Sequence, residues 1–374
     1  MVMYSKNRRL MLSVCSIIIV LALFITGEQI ISNTGNHFTN TIERMFVTTN
    51  HTTEANITSH ILRPTIYDVN HARAQLSVTT DINQRRALFS EFFAVLHNTN
   101  DANVESLALS VLDRQMTFDD RMAMIYNAEL NGLHDRFGGD QQGALELFNS
   151  QTRRNFSGDA YFARFAQNLF GTDNRREVRA ELRYFESIGC SFIAMANIIL
   201  VEFANRPIEF ENTFGFPMFV IDGQGVKFNF EMLALDIFVF GGPQARTGTR
   251  ALYSSFEQYL ESRGVSITIR NGLNYSDTIE DAFSNALNDN QHIILDQRTT
   301  ILYYTDGITT VFDSTTMRGR ENFAHAVTMT DITDDGNFVV STWGMEALIR
   351  PADYLQDDRS LTFVVVTFER GDVD

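Results

Sequence analysis

Apolar residues recur at three- and four-residue spacing through ALFSEFFAVLH (87–97), VESLALSVLDRQ (104–115), FDDRMAMIYNAELNGL (118–133), GALELFNSQT (143–152) and YFARFAQNLF (161–170). That is the period of helices with one covered face. Thr117 and Asp119 offer helix starts, and Gly138-Gly139 and Gly158 punctuate the run. From Ile188 to Phe203 the chain is apolar nearly all round. Such a helix has no face to turn to water and is expected to be buried. Asn205-Arg206-Pro207 is expected to end it. The stretch 210–243 (FENTFGFPMFVIDGQGVKFNFEMLALDIFVFGGP) mixes Gly, Pro and aromatic runs. It reads as loops with short strands or a helix.

After Gly241-Gly242-Pro243 the period changes. Arg250 to Arg263 reads as a helix, Val265 to Arg270 as a strand, Thr278 to Asn288 as a helix and His292 to Asp296 as a buried strand. Ile301 to Tyr304 and Thr309 to Asp313 read as strands around an Asp306-Gly307 turn. Ala324 to Ile332 and Asn337 to Trp343 form a hairpin around Asp334-Asp335-Gly336, and Leu361 to Phe368 is a closing strand. A helical half followed by a mainly antiparallel sheet is an α+β pattern.

The ends and the charge narrow the setting. Lys6, Arg8 and Arg9 precede an uncharged run, Leu10 to Thr26 (LMLSVCSIIIVLALFIT). Residues 1–27 therefore read as a signal peptide or N-terminal membrane anchor, with the bulk of the chain membrane-anchored outside the cytoplasm or secreted. Residues 28–66 are Asn- and Thr-rich and read as a flexible tether, with glycosylation-type triplets at Asn50-His51-Thr52 and Asn56-Ile57-Thr58. Residues 67–180 form the helical region and 181–374 the remaining domain. The net charge of −16 argues against nucleic acid as a partner. No metal-ligand spacing, His-Glu-x-x-His, Cys-x-x-Cys or phosphate-loop pattern occurs, so neither a metal nor an organic cofactor is implied.

Of two cysteines, Cys15 lies inside the N-terminal apolar run, which leaves Cys190 as the thiol of the folded part. Cys190 stands at the expected first turn of the apolar helix. There the backbone N–H groups and the helix dipole favour a thiolate. Far downstream, His325 opens a strand, and a thiol on a helix facing an imidazole on a sheet is a nucleophile–base arrangement.

These residues carry a specific resemblance. Cys190 on its helix, Ala324-His325-Ala326-Val327, and Ser341-Thr342-Trp343-Gly344 resemble the Cys helix, the His-Ala-Val strand and the Asn-Ser-Trp-Gly segment of papain-like cysteine peptidases. The order of elements between them is similar to the bacteriocin-processing (double-glycine leader) branch of that fold. The resemblance covers about residues 180 to 368. It implies Cys190 as nucleophile, held by His325 as a thiolate–imidazolium pair, with Trp343 shielding the imidazole and the Cys190 N–H in an oxyanion hole. Ser341 stands where the family has Asn or Asp, so the resemblance implies a hydroxyl as orienter of the ring. Glu186 stands near the family's oxyanion Gln, and it donates there only when protonated. The implied reaction is thiol-dependent cleavage of a peptide or protein substrate. Two other readings stay open: an inactive papain-like domain used for binding, and a Cys–His acyltransferase or deamidase.

Overall fold

The computed structural model describes residues 64–126, 142–152, 161–222, 225–243, 245, 249–271, 279–316, 324–342, 345–355 and 361–369. The Leu10–Thr26 run, Cys15, the glycosylation-type triplets and most of the 28–66 stretch lie outside the described residues. Thr65 and Asp68 form a capping box that starts helix α1 (Ile66–Leu76), so ordered structure begins within the last residues assigned to the tether. Among the described residues, no single helix is long and apolar enough to cross a membrane.

Helices α2 (Ile82–Asn98), α3 (Ala102–Gln115), α4 (Phe118–Tyr126), α5 (Gln142–Thr152), α6 (Tyr161–Phe170) and α7 (Arg175–Ile188) follow the amphipathic segments. Helix α8 (Cys190–Phe203) is the apolar helix, and α9 (Pro207–Phe214) follows it. Strands β1 (Phe219–Asp222) and β2 (Gly225–Phe228) make a small hairpin. Helices α10 (Phe230–Gly241) and α11 (Thr249–Glu261) come next, then β3 (Ile267–Asn271), α12 (Ile279–Asn288), β4 (His292–Gln297), β5 (Ile301–Tyr303), β6 (Thr310–Asp313), β7 (His325–Ile332), β8 (Phe338–Thr342), β9 (Met345–Ile349), α13 (Ala352–Leu355) and β10 (Leu361–Phe368). The chain is α+β.

Three expectations change. The apolar stretch is not one helix from Ile188: α7 and α8 meet at Gly189 with a bend of 84°. Pro207 does not simply end a helix but opens α9, at the first position where its missing N–H costs nothing. Strand β9 was not anticipated.

The large sheet runs β3-β10-β4-β7-β8-β9-β5-β6, with every described neighbouring pair antiparallel. Its pleat separates two cores. Ile294, Ala326, Val364 and Val366 join the helices on one side. Ile293, Leu295, Val327, Met329 and Val365 join Phe283 of α12 on the other. There Phe283 meets Phe338 and Phe363 edge-on at 4.7 and 4.8 Å.

Helix α8 lies in the first core, and every residue from Phe192 to Phe203 is buried. Side chains from α1 to α7 share that core with α8, α10 and the sheet. The change of pattern near residue 180 is therefore a change of secondary structure within one compact unit, residues 64–374. The far end of α8 is held by charge. Arg121 Nη1 donates to the carbonyls of Val201 (3.1 Å) and Glu202 (2.9 Å), and Arg206 Nη2 to that of Glu202 (3.3 Å). Two guanidinium groups thus meet the negative end of the helix. The Glu202 carboxylate lies 3.4 Å from Arg121, 3.2 Å from Arg206 and 3.6 Å from His292 of β4. Burial lowers the His292 pKa, so this imidazole is neutral.

Two outcomes follow from this packing. A chain beginning at residue 181 exposes the helix-facing side of α8 and is expected to lack a cooperative unfolding transition, as read by near-UV circular dichroism and urea titration. Glu202→Ala strands Arg121 without its carboxylate and is expected to destabilise the protein by roughly 3–5 kcal/mol in the same titration; a loss within error of zero contradicts the assigned role of the network.

Candidate functional site

Cys190 is the first residue of α8, and Gly189 caps it without a side-chain hydrogen bond. The first helical bond runs from the Ile193 N–H to the Gly189 carbonyl at 3.0 Å. The bend at Gly189 aims this helix start at the sheet. The rest of the site repeats down one face of α8. Cys190, Ile193, Ala194 and Asn197 share the stripe i, i+3, i+4, i+7 and line a cleft against His325, Ala326, Val327, Thr328, Ser341 and Thr342. Phe192, on another face of α8, packs against Phe238 of α10 at 5.3 Å and helps fix the helix rotation. The cleft encloses about 10 Å³, close to the room one water needs.

The acid–base balance differs from the expectation. Burial pushes the Cys190 thiol up, although Cys190 keeps some exposed surface. The Ala326 N–H and Ser191 oppose this rise, and the charge of Asp296 adds to it. Asp296 stands opposite Ala326 across the β4–β7 ladder, and burial raises its own pKa. Its Oδ2 accepts from Thr249 Oγ1 at 3.3 Å. His325 is buried, and burial lowers its pKa to about 4. Both shifts favour neutral thiol and neutral imidazole. A standing thiolate–imidazolium pair is not the resting form of this site.

The hydroxyl bonded to the ring is that of Thr342, whose Oγ1 lies 2.7 Å from His325 Nε2. Ser341, the expected orienter, pairs with Thr328 in the β7–β8 register. It falls by alternation on the α8 side with Ala326, whereas Thr342 falls with Val327 and His325. The reason is a bulge. Met329 pairs with Val340 but Asp331 pairs with Val339, leaving Thr330 extra. A single inserted residue reverses which face each later partner takes. Glu186 lies on α7, across the bend, and is not among the residues lining the cleft. Trp343 lies outside the described residues.

No protein-family model, curated protein or solved structure matches this chain. The chemistry of the cleft therefore has to be argued from its own groups. Among the described residues, no set of three or more His, Cys, Asp or Glu side chains is grouped to hold a metal ion. Thr342, Asn197 and Asp296 join Cys190, His325 and Ser341 at or beside the cleft. Asn197 was legible as a lone amide on the Cys190 face of an apolar helix. Thr342 was not, because the bulge decides its side.

The buried imidazole gives a stability signature. The unfolded chain protonates His325 near pH 6.5, while the folded chain does so near 4. The unfolded state thus holds more protons between these values, and stability falls as pH drops through that window. Replacing the ring by His325→Gln is expected to remove roughly 3 kcal/mol of the stability loss between pH 7 and 4. Urea titrations of both proteins across that range check this; parallel pH curves contradict it.

Proposed function

We propose that residues 181–374 form a papain-like, thiol-dependent hydrolase of peptide or amide bonds, with Cys190 as nucleophile and His325 as base. The observation that supports this is one cleft whose lining includes both the helix-start Cys190 and His325, the latter with Nε2 bonded to the Thr342 hydroxyl. Strand alternation puts His325 on the Val327 face, so the mechanism requires the ring to turn toward the α8 side. In this mechanism Nε2 stays with the Thr342 hydroxyl and the other ring nitrogen, Nδ1, carries the proton. In this mechanism His325 takes the thiol proton once substrate is bound. The sulfur attacks the acyl carbon, with the Cys190 N–H facing the developing oxyanion. The imidazolium then protonates the leaving amine, and water cleaves the thioester with His325 again as base. Thr342 orients the ring, Trp343 shields it by resemblance, and a protonated Glu186 is an oxyanion donor only if α7 shifts at the bend. The substrate is a peptide or protein outside the cytoplasm, reached from a membrane anchor or after secretion through residues 1–27.

A second reading, a papain-like binding module without catalysis, is favoured by the neutral pair. Turnover, not alkylation, separates the two. For either reading, iodoacetamide labelling of native Cys190 is expected to be slow at pH 6 and to accelerate only above pH 8.5, the ordinary thiol range. In the hydrolase, a broad peptide library incubated with the protein at pH 8 yields products. Cys190→Ala abolishes them, His325→Ala lowers the rate by about 10²–10⁴-fold and Thr342→Val by a smaller factor. Products that persist in Cys190→Ala sink the thiol mechanism, and no products from the unaltered protein leave the binding module.

A further inference from the structure

Cys190 has neighbours on its own side of the sheet that lie outside the cleft lining. Asp296 on β4 pairs with Ala326 of β7, and the pleat puts both on the α8 side with Ile294. Ala326 lines the cleft together with Cys190. Asp296 Oδ2 accepts from Thr249 Oγ1, at the start of α11, at 3.3 Å. Tyr253 follows Thr249 by four residues and shares its face of α11. Its hydroxyl is buried and meets no hydrogen-bond partner among the described residues, and the residue is 2% exposed. Burial raises the Tyr253 pKa, and the charges of Asp296 and Cys190 add to that rise. A carboxylate, a thiol and a bare hydroxyl are thus grouped beside the first turn of α8.

The carboxylate is the unbalanced member of this group. Burial raises its pKa, and its hydrogen-bond partner is a hydroxyl rather than a cation. Arg298, exposed and two residues on, is the cation that acts on it among the described residues. Asp296 and Thr249 both keep exposed surface, so a solute reaches the carboxylate. A partly buried anion gains most from a partner that brings positive charge and N–H donors. A second anion is repelled, and an apolar group leaves the charge uncompensated. The same charge acts on the thiol: it opposes a thiolate at Cys190, on top of burial. A cation that pairs with Asp296 therefore removes one of the two penalties that hold Cys190 neutral.

We propose that Asp296 is a subsite for a cationic nitrogen of the substrate peptide, a Lys or Arg side chain or a free N-terminus, and that its occupation activates Cys190. The N–H groups donate to the Asp296 carboxylate beside the Thr249 hydroxyl. With that charge paired, the Cys190 proton passes more readily to the base, and the Tyr253 hydroxyl is a donor for the sulfur left behind. Recognition and reactivity are then coupled, because the group that is bound is the group that lowers the cost of the thiolate. This reading rests on Cys190 as the reacting thiol, but the coupling is testable without turnover.

The test follows iodoacetamide labelling of the full chain at about pH 7.5, below the ordinary thiol range. Labelling is read on the Cys190 peptide by mass spectrometry, so that Cys15 does not contribute. In this range the rate follows the thiolate fraction. N-acetyl-lysinamide, N-acetyl-argininamide and alaninamide are the cationic probes, N-acetyl-glutaminamide is the neutral control, and sodium chloride holds the ionic strength constant. At least one cationic probe is expected to speed labelling severalfold and saturably, and the one that does so tells a side chain from a chain end. The neutral control is expected to leave the rate unchanged. Asp296→Asn, its fold checked by circular dichroism, is expected to label severalfold faster than the unaltered protein without any probe and to lose the probe response. Should it fail to fold, the cationic and neutral probes on the unaltered protein decide. No saturable acceleration by any cationic probe, equal acceleration by the neutral control, or a response that persists in folded Asp296→Asn overturns the subsite. Acceleration in a protein without thiol-dependent hydrolysis leaves the subsite standing and removes the hydrolase; hydrolysis without acceleration does the reverse.

Discussion

A helix that is apolar on every side has to be covered on every side, and α8 imposes that condition on this protein. The sheet covers one flank through Ile294, Ala326 and Val364. The remaining flanks are closed by the N-terminal helices and α10. Fully burying a Leu, Ile, Val, Phe or Met side chain contributes about 1.5–3 kcal/mol. The run from Phe192 to Phe203 supplies a large share of the driving force that joins two differently patterned halves. The helical region therefore completes the wall behind the thiol-bearing helix.

The same helix is fixed at both ends by different physics. At its C-terminus, Arg121 and Arg206 meet the last carbonyls, and the Glu202 carboxylate balances their charge. At its N-terminus, the bend at Gly189 leaves the first turn without a side-chain cap, facing the cleft. One end has its polar groups satisfied by protein, and the other opens on the cleft without a side-chain cap.

The elements were largely legible from period alone. The amphipathic helices and most sheet strands follow spacing that survives packing. What escaped was set by local geometry. Gly189 breaks the apolar run although every neighbour favours continuing it. Strand β9 is the five-residue MEALI stretch beside the hairpin, too short to show a period. The site divides the same way. Cys190 and Asn197 share a helical face by simple counting. The ring partner of His325 could not be counted, because Thr330 enters the ladder as an extra residue and exchanges the sides of Ser341 and Thr342.

Electrostatics then sets what the cleft can be at rest. A thiolate at a helix start gains from the dipole and from the Ala326 N–H, but a dry wall of Ile193, Ala194 and Val327 penalises it, and the Asp296 charge adds repulsion. An imidazolium in the same surroundings is penalised too. With both charged forms disfavoured, proton transfer from Cys190 to His325 costs free energy in the free protein, and only a change in the surroundings lowers that cost. In the proposed hydrolase, a bound acyl group does so by giving the transferred charge a destination on its own oxygen. In that hydrolase, the neutral resting pair and a nucleophilic role are compatible on that one condition, and reactivity at Cys190 follows occupancy of the cleft.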